Sequence, residues 1–265
     1  LQLSHSYRAV SAYVLFILIA LWLGFLFEKN ALNGVIFTAI NSQMPVWGGP
    51  YIWGFFTSLG DTAVAVVLLW LLLPKTKACL ARLSIAVIVG GIASNALKAF
   101  FHYPRPLALM PDVMVVGPSL HHNAFVSGHT LTAFLVAALL MLTYKKQGLV
   151  LILLIACFVG ISRVMVGAHW PADVLTGAIV GWSLGTIINH LTTNIQPTLE
   201  KVLAFAGWAL VVIALIFMLL GKMQNIHKVI VFWQAFAIFG FAMLIPKFRH
   251  ALSGLFANKK PVSPA

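Results

Sequence analysis

The sequence predicts an all-α, polytopic membrane helix bundle, and three observations carry that prediction. Of the 265 residues, 61% are hydrophobic and only 8% are charged. Mean hydropathy is +0.99, far above that of a soluble mixture. Apolar runs of about 20 residues, each long enough to cross a hydrocarbon core, recur along the whole chain. The formal charge of +12 would suggest nucleic acid in a soluble protein. Here it reads as membrane topology, and no nucleic-acid partner is expected. Cys79 and Cys157 fall in a cytoplasmic-side loop and inside a span, so neither suggests a disulfide framework.

The first span is expected over residues 9–27. That run is too long for a cleaved signal peptide and no small-x-small cleavage site follows it; Leu1 reads as a trimmed start. Asn30 to Ser42 carries Ile, Phe and Leu but is broken by Asn33 and Asn41. It predicts a short interfacial helix ahead of the turns at Met44-Pro45 and Gly48-Gly49-Pro50. Trp47, Tyr51 and Trp53 then mark an aromatic belt. Seven further spans are expected, at 55–73, 83–101, 128–144, 149–166, 171–190, 202–220 and 229–246. Short loops join them, with no separate soluble domain. The tail from Asn258 to Ala265 reads as disordered.

Charge sets the orientation. With the amino terminus inside, the inner segments hold eleven of the seventeen basic residues: Arg8, Lys75, Lys77, Arg82, Lys145, Lys146, Lys201, Lys247, Arg249, Lys259 and Lys260. The outer loops keep Lys29, Lys222 and Lys228, besides Lys98, Arg105 and Arg163. This asymmetry predicts both termini in the cytoplasm. Lys98, Arg105 and Arg163 then belong to three polar clusters that share the outer face, at the outer ends of the third to sixth spans.

The first cluster runs from Lys98 to Arg105-Pro106, with Pro104 stopping the helix. Two cations at a membrane surface suit a phosphate, the guanidinium offering a bidentate fork, although snorkelling anchors would look the same. The second is Ser127-Gly128-His129 at the start of the fourth span. Ser127 is a plausible cap, Gly128 admits close backbone approach, and the first-turn amides make an anion site in which His129 can exchange a proton. The third is Ser162-Arg163, His169 and Asp173. Pro171 fits the first turn of the sixth span, from which the Asp173 carboxylate can reach back to the His169 imidazole or cap its own helix. A carboxylate on one ring nitrogen makes the other a better nucleophile. Acids are sparse: Glu28 and Asp112 stand alone, and no His-x3-His or carboxylate pair appears. No metal or other cofactor is expected. His102, His121 and His122 lie near the site and read first as solvated loop residues and second as substrate contacts, and His190, His227 and His250 read as interfacial. Asp61 reads either as a headgroup neighbour or, more plainly, as the partner of a loop base or a helix cap.

These residues resemble the type 2 phosphatidic acid phosphatase superfamily, whose pattern is K-x6-R-P, then P-S-G-H, then S-R-x5-H-x3-D. The chain matches at Lys98, Arg105, Pro106, Ser127, Gly128, His129, Ser162, Arg163, His169 and Asp173, and departs at Val126, where the family has proline. The resemblance covers about residues 55 to 190. It implies a six-helix phosphatase core over 1–195 (with the interfacial segment), two additional spans over 196–250 and a cytoplasmic tail over 251–265. It further implies that His169 attacks phosphorus and that Asp173 holds it, while His129 protonates the leaving oxygen. Lys98, Arg105, Arg163 and the amides near Ser127 and Gly128 would bind the phosphate. The expected activity is a metal-independent lipid phosphatase of the bacterial inner membrane, with the site on the outer face. Its partners are the bilayer and a lipid phosphate: undecaprenyl diphosphate first, then phosphatidylglycerol phosphate or phosphatidic acid, then lipid A. A lipid phosphotransferase is the nearest rival. A phospholipid flippase is the non-enzymatic rival, disfavoured by span interiors nearly free of ionisable residues. A vanadate-dependent haloperoxidase would share the anion site, but those enzymes are soluble.

Overall fold

The computed structural model describes residues 5–27, 31–144, 146–223 and 227–245. The tail 251–265, the bases Lys29, Lys145, Lys247, Arg249, Lys259 and Lys260, and Glu28 and His250 lie outside the described residues. The described chain is helical, with no strand among the described residues. The elements are α1 (His5–Phe27), α2 (Ala31–Asn41), α3 (Gly49–Ser58), α4 (Thr62–Leu72), α5 (Lys77–Phe101), α6 (Pro106–Leu109), α7 (Gly128–Leu140), α8 (Lys146–Met165), α9 (Pro171–Leu191), α10 (Pro197–Leu219) and α11 (His227–Leu244).

Helix lies along all eight expected spans, but it is unbroken in only six of them; the second and fourth differ. Five stretches are long and apolar enough to cross a membrane, those built on α5, α8, α9, α10 and α11, and the bent pair α3–α4 makes a sixth. The described apolar stretch of α1 (Tyr7–Leu23) and the 13-residue α7 are shorter. The chain is a multi-pass membrane protein.

Two elements differ from expectation. The second span is not continuous: α3 and α4 meet at 64°. Asp61 starts α4 afresh by accepting the Ala63 N–H at 2.9 Å. Gly60 lies so close to α7 that a Cβ there would stand 2.7 Å from the His129 carbonyl oxygen. The fourth span is also short. After Leu140 the chain turns, and Tyr144 donates its hydroxyl to the Leu72 carbonyl at 3.0 Å.

The expected interfacial helix is present as α2, but it does more than float at an interface. Phe37 is buried against the Trp170 ring, with centroids 5.2 Å apart. Asn41, read in sequence as a breaker, is buried. Its amide nitrogen donates to the Met165 and Met114 carbonyls at 2.8 and 3.0 Å, and its oxygen accepts the Met114 N–H at 3.1 Å. Asn33 accepts the Ala172 N–H at 3.1 Å, which serves one of the free amides at the start of α9. Thus α2 buttresses the loop between α8 and α9.

The core has two main parts. One surrounds Trp182 and joins α1, α7, α8 and α9. There α9 presents Gly177, Gly181 and Gly185 to α7, close enough that a side chain at Gly181 would collide with the Leu131 backbone. The other joins α4, α5 and α7 to the C-terminal pair. Ser84 on α5 donates to the Leu203 carbonyl of α10 at 2.6 Å. On α11, Trp233 stacks on Phe55 at 5.8 Å and donates its indole N–H to Ser58 Oγ at 2.7 Å. The last two helices therefore pack directly on the segment that bends.

Candidate active site

The three polar clusters converge. α5 runs up to Lys98 and ends at His102, in a left-handed conformation (φ 45°), before Pro104. The chain then returns through α6 and a loop to α7. Lys98 lines the same cleft as Asp61, Gly128 and His129, and a Cβ at Gly128 would lie 3.3 Å from Lys98 Nζ. Glycine there lets the ammonium approach the first turn of α7.

Arg105 is buried and held by backbone oxygen. Nε donates to the His122 carbonyl at 2.9 Å and Nη1 to the Ala168 carbonyl at 3.2 Å, while its own amide donates to the His121 carbonyl at 2.8 Å. His102, His121 and His122 are themselves exposed, so the last two serve Arg105 through their backbones. Trp170 clamps the first cluster to the third, its indole N–H donating to the Pro104 carbonyl at 2.9 Å.

Ser127 is fully buried and caps α7, with its hydroxyl 2.8 Å from that of Thr130. Its amide donates to the Asp173 carbonyl at 3.1 Å, which joins the second cluster to the third. Arg163, at the end of α8, donates from Nη1 to Thr57 Oγ1. Its Nε is buried and finds no acceptor among the described residues. The Arg163 carbonyl receives the Ala168 and His169 amides at 3.0 and 3.2 Å, folding the loop so that His169 turns inward.

His169 and Asp173 are each 2% exposed, with Nδ1 and Oδ2 3.6 Å apart. Oδ2 also accepts the Trp170 N–H at 2.9 Å. Both sequence readings of Asp173 are therefore realised: it caps its helix and it faces the imidazole. The 3.6 Å contact is an electrostatic one, longer than a hydrogen bond. His169 is held well below the ordinary histidine range, first by burial and then by Arg105, Arg163, Lys98 and His129. A neutral imidazole with Nδ1 turned to a carboxylate has Nε2 free to act as a nucleophile.

Asp61 both caps α4 and lines the cleft beside Lys98 and His129. Sequence reasoning missed Thr57, whose hydroxyl fixes Arg163; a threonine in an apolar run carries no mark of such a partner. It also misread Asn33 and Asn41, although polar residues in an apolar segment were a usable signal. Among the described residues, no three His, Cys, Asp or Glu side chains come together as a metal-binding group.

An apolar bundle that gathers three cations, two histidines and Asp173 at one end defines the class, a multi-pass helical membrane protein with a cationic polar cluster. Residues 79–197 match the PAP2 superfamily. Over 155 residues the chain is 33% identical to the bacitracin transport permease protein BcrC of Bacillus licheniformis, covering 58% of this chain and 68% of that one. Over 152 residues it is 29% identical to the undecaprenyl-diphosphatase of Sulfolobus acidocaldarius, covering 57% and 67%. Among solved structures, LpxE of Aquifex aeolicus superposes with a TM-score of 0.52 at 32% identity, covering 62% of this chain and 98% of that one. The chain belongs to the PAP2 superfamily, and with it to the membrane lipid phosphatases.

Proposed function

We propose that the protein hydrolyses the terminal phosphate of a membrane lipid through a phosphohistidine, without a metal, and that its foremost substrate is undecaprenyl diphosphate. The observation that carries this reading is the placement of a buried imidazole, faced by one carboxylate, among three cations. Nε2 of His169 forms a bond to phosphorus as the bond from phosphorus to the leaving oxygen breaks. His129 gives its proton to that oxygen, whether it belongs to a lipid alcohol or a lipid monophosphate. Water then attacks phosphorus, His129 takes the water's proton, and the P–N bond breaks to release phosphate. Lys98, Arg105, Arg163 and the amides at Ser127 and Gly128 stabilise the charge on the equatorial oxygens. Asp173 stabilises the imidazolium of the intermediate. The substrate preference is supported by the relative in Sulfolobus acidocaldarius named undecaprenyl-diphosphatase; relatives named lipid A 1-phosphatase mark the second class.

The chemistry is assigned to residues 1–195, in a bacterial-type inner membrane, with the cleft on the outer face and both termini in the cytoplasm. Phosphate release from a panel of lipids in detergent, with and without EDTA, tests the reading. Release from a polyprenyl diphosphate, unaffected by EDTA and abolished in a folded His169→Ala variant, is expected. Loss of activity on chelation overturns the metal-free mechanism. Phosphate passed to an acceptor instead of being released makes the protein a phosphotransferase, and no turnover of any lipid leaves transport.

A further inference from the structure

We propose that α10 forms one wall of a groove that receives the hydrocarbon tail of the substrate, so that α10 selects among tails. This rests on the lipid-phosphatase reading above. The cleft, about 510 Å³, carries its charged and most of its polar residues at its upper end, where Asp61, Lys98 and His129 lie with Ser94 and Asn95 one turn below Lys98, and its lower part is mainly apolar. From Lys98 it descends along α5 to Ala86, about 18 Å of helix, between α4 and α7. Its fourth side is α10, through Leu210, Ile213, Ala214 and Phe217. That spacing of i, i+3, i+4 and i+7 is a single helix face.

The groove is open where a chain would pass. Ile213 and Phe217 remain 59% and 42% exposed although they line it. Opposite, on α5, a Cβ added to Gly91 would meet nothing within 4 Å. A cation at one end and mainly apolar lining below fit one occupant, an anionic headgroup carrying a hydrocarbon tail. The match to the PAP2 superfamily ends at residue 197. The α10 wall therefore lies beyond the matched region.

Two variants narrow the groove without touching the phosphate site: Gly91→Leu and Ile213→Trp. Each is assayed on a long-chain lipid phosphate and on a short-chain, water-soluble ester of the same headgroup. Displacing two methylenes of tail corresponds to about a 15-fold loss. The expected result is a fall in kcat/KM of that order for the long-chain ester and less than about twofold for the short one. Equal losses on both esters, or no loss on either, overturn the proposal. A second readout does not depend on turnover: a long-chain lipid phosphate with a diazirine near the tail end should label peptides of α10. Labelling confined to other helices overturns the groove. Labelling of α10 without phosphate release from either ester keeps the groove and refutes the phosphatase reading.

Discussion

Replacing Asp173 by asparagine separates its two contacts. The carboxylate accepts the Trp170 N–H at 2.9 Å and stands 3.6 Å from His169 Nδ1. Asparagine keeps an oxygen for the Trp170 amide and removes the charge that faces the imidazole. In the proposed intermediate that imidazole is cationic. Unit charges at this separation, at an effective dielectric near 20, interact by about 4–5 kcal/mol. The amide dipole returns part of this, so kcat should fall by about 10²- to 10³-fold. The assay is phosphate release from detergent-solubilised lipid diphosphate at saturation, with thermal unfolding followed in parallel. Unfolding should shift little, because the cap survives. Asp173→Ala, which leaves the Trp170 amide unpaired in a buried site, should add a stability loss of about 1–3 kcal/mol. A kcat for Asp173→Asn within about threefold of wild type would refute the reasoning and leave Asp173 as a helix cap only.

Other outcomes follow from the same geometry. Burial and the surrounding cations hold His169 below 6.5, so it stays neutral while an unfolded histidine takes up its proton. The acid limb of kcat/KM should have its midpoint below 6.5 where His169 sets it, and a limb at or above that value contradicts the assignment. For the same reason its contribution to stability is full above the unfolded value of 6.5 and is lost as pH falls from there towards the lower folded value, which unfolding followed from neutral pH downwards would register. Asn41→Leu leaves the buried Met165 carbonyl and the part-buried Met114 carbonyl and amide without their partner, and should cost about 2–4 kcal/mol; an unchanged melting temperature would refute the clamp. Trp233→Phe removes the bond to Ser58 and should cost about 1 kcal/mol, measured by the same unfolding.

Much of the fold was legible because a bilayer demands long apolar runs, and those runs are where the helices lie. The break at Gly60-Asp61 was not legible, since two residues of turn chemistry inside an apolar run do not outweigh the run itself. At the break α7 passes so close that only glycine fits under His129, and Asp61 caps the helix that restarts. The shortness of α7 was hidden likewise, as Met141 to Tyr144 continue the apolar pattern after the helix has ended. The site was the most legible part. Charges set into hydrocarbon are costly, and Lys98, Arg105, Arg163, His169 and Asp173 stood out for that reason. Their supports did not. Thr57 on Arg163 and the backbone carbonyls of His121 and Ala168 on Arg105 act through tertiary contacts that no local pattern encodes. The α10 wall was invisible too, because an apolar helix gives no sign of which face meets a groove.

The central claim is that His169 carries the phosphoryl group between lipid and water. Rapid acid-free quenching of the enzyme with a lipid labelled in its terminal phosphate, followed by peptide mapping, tests it directly. The account predicts an alkali-stable, acid-labile label on the peptide containing His169, formed before free phosphate and absent from His169→Ala. Steady phosphate release with no labelled protein, or label on any other residue, would contradict it.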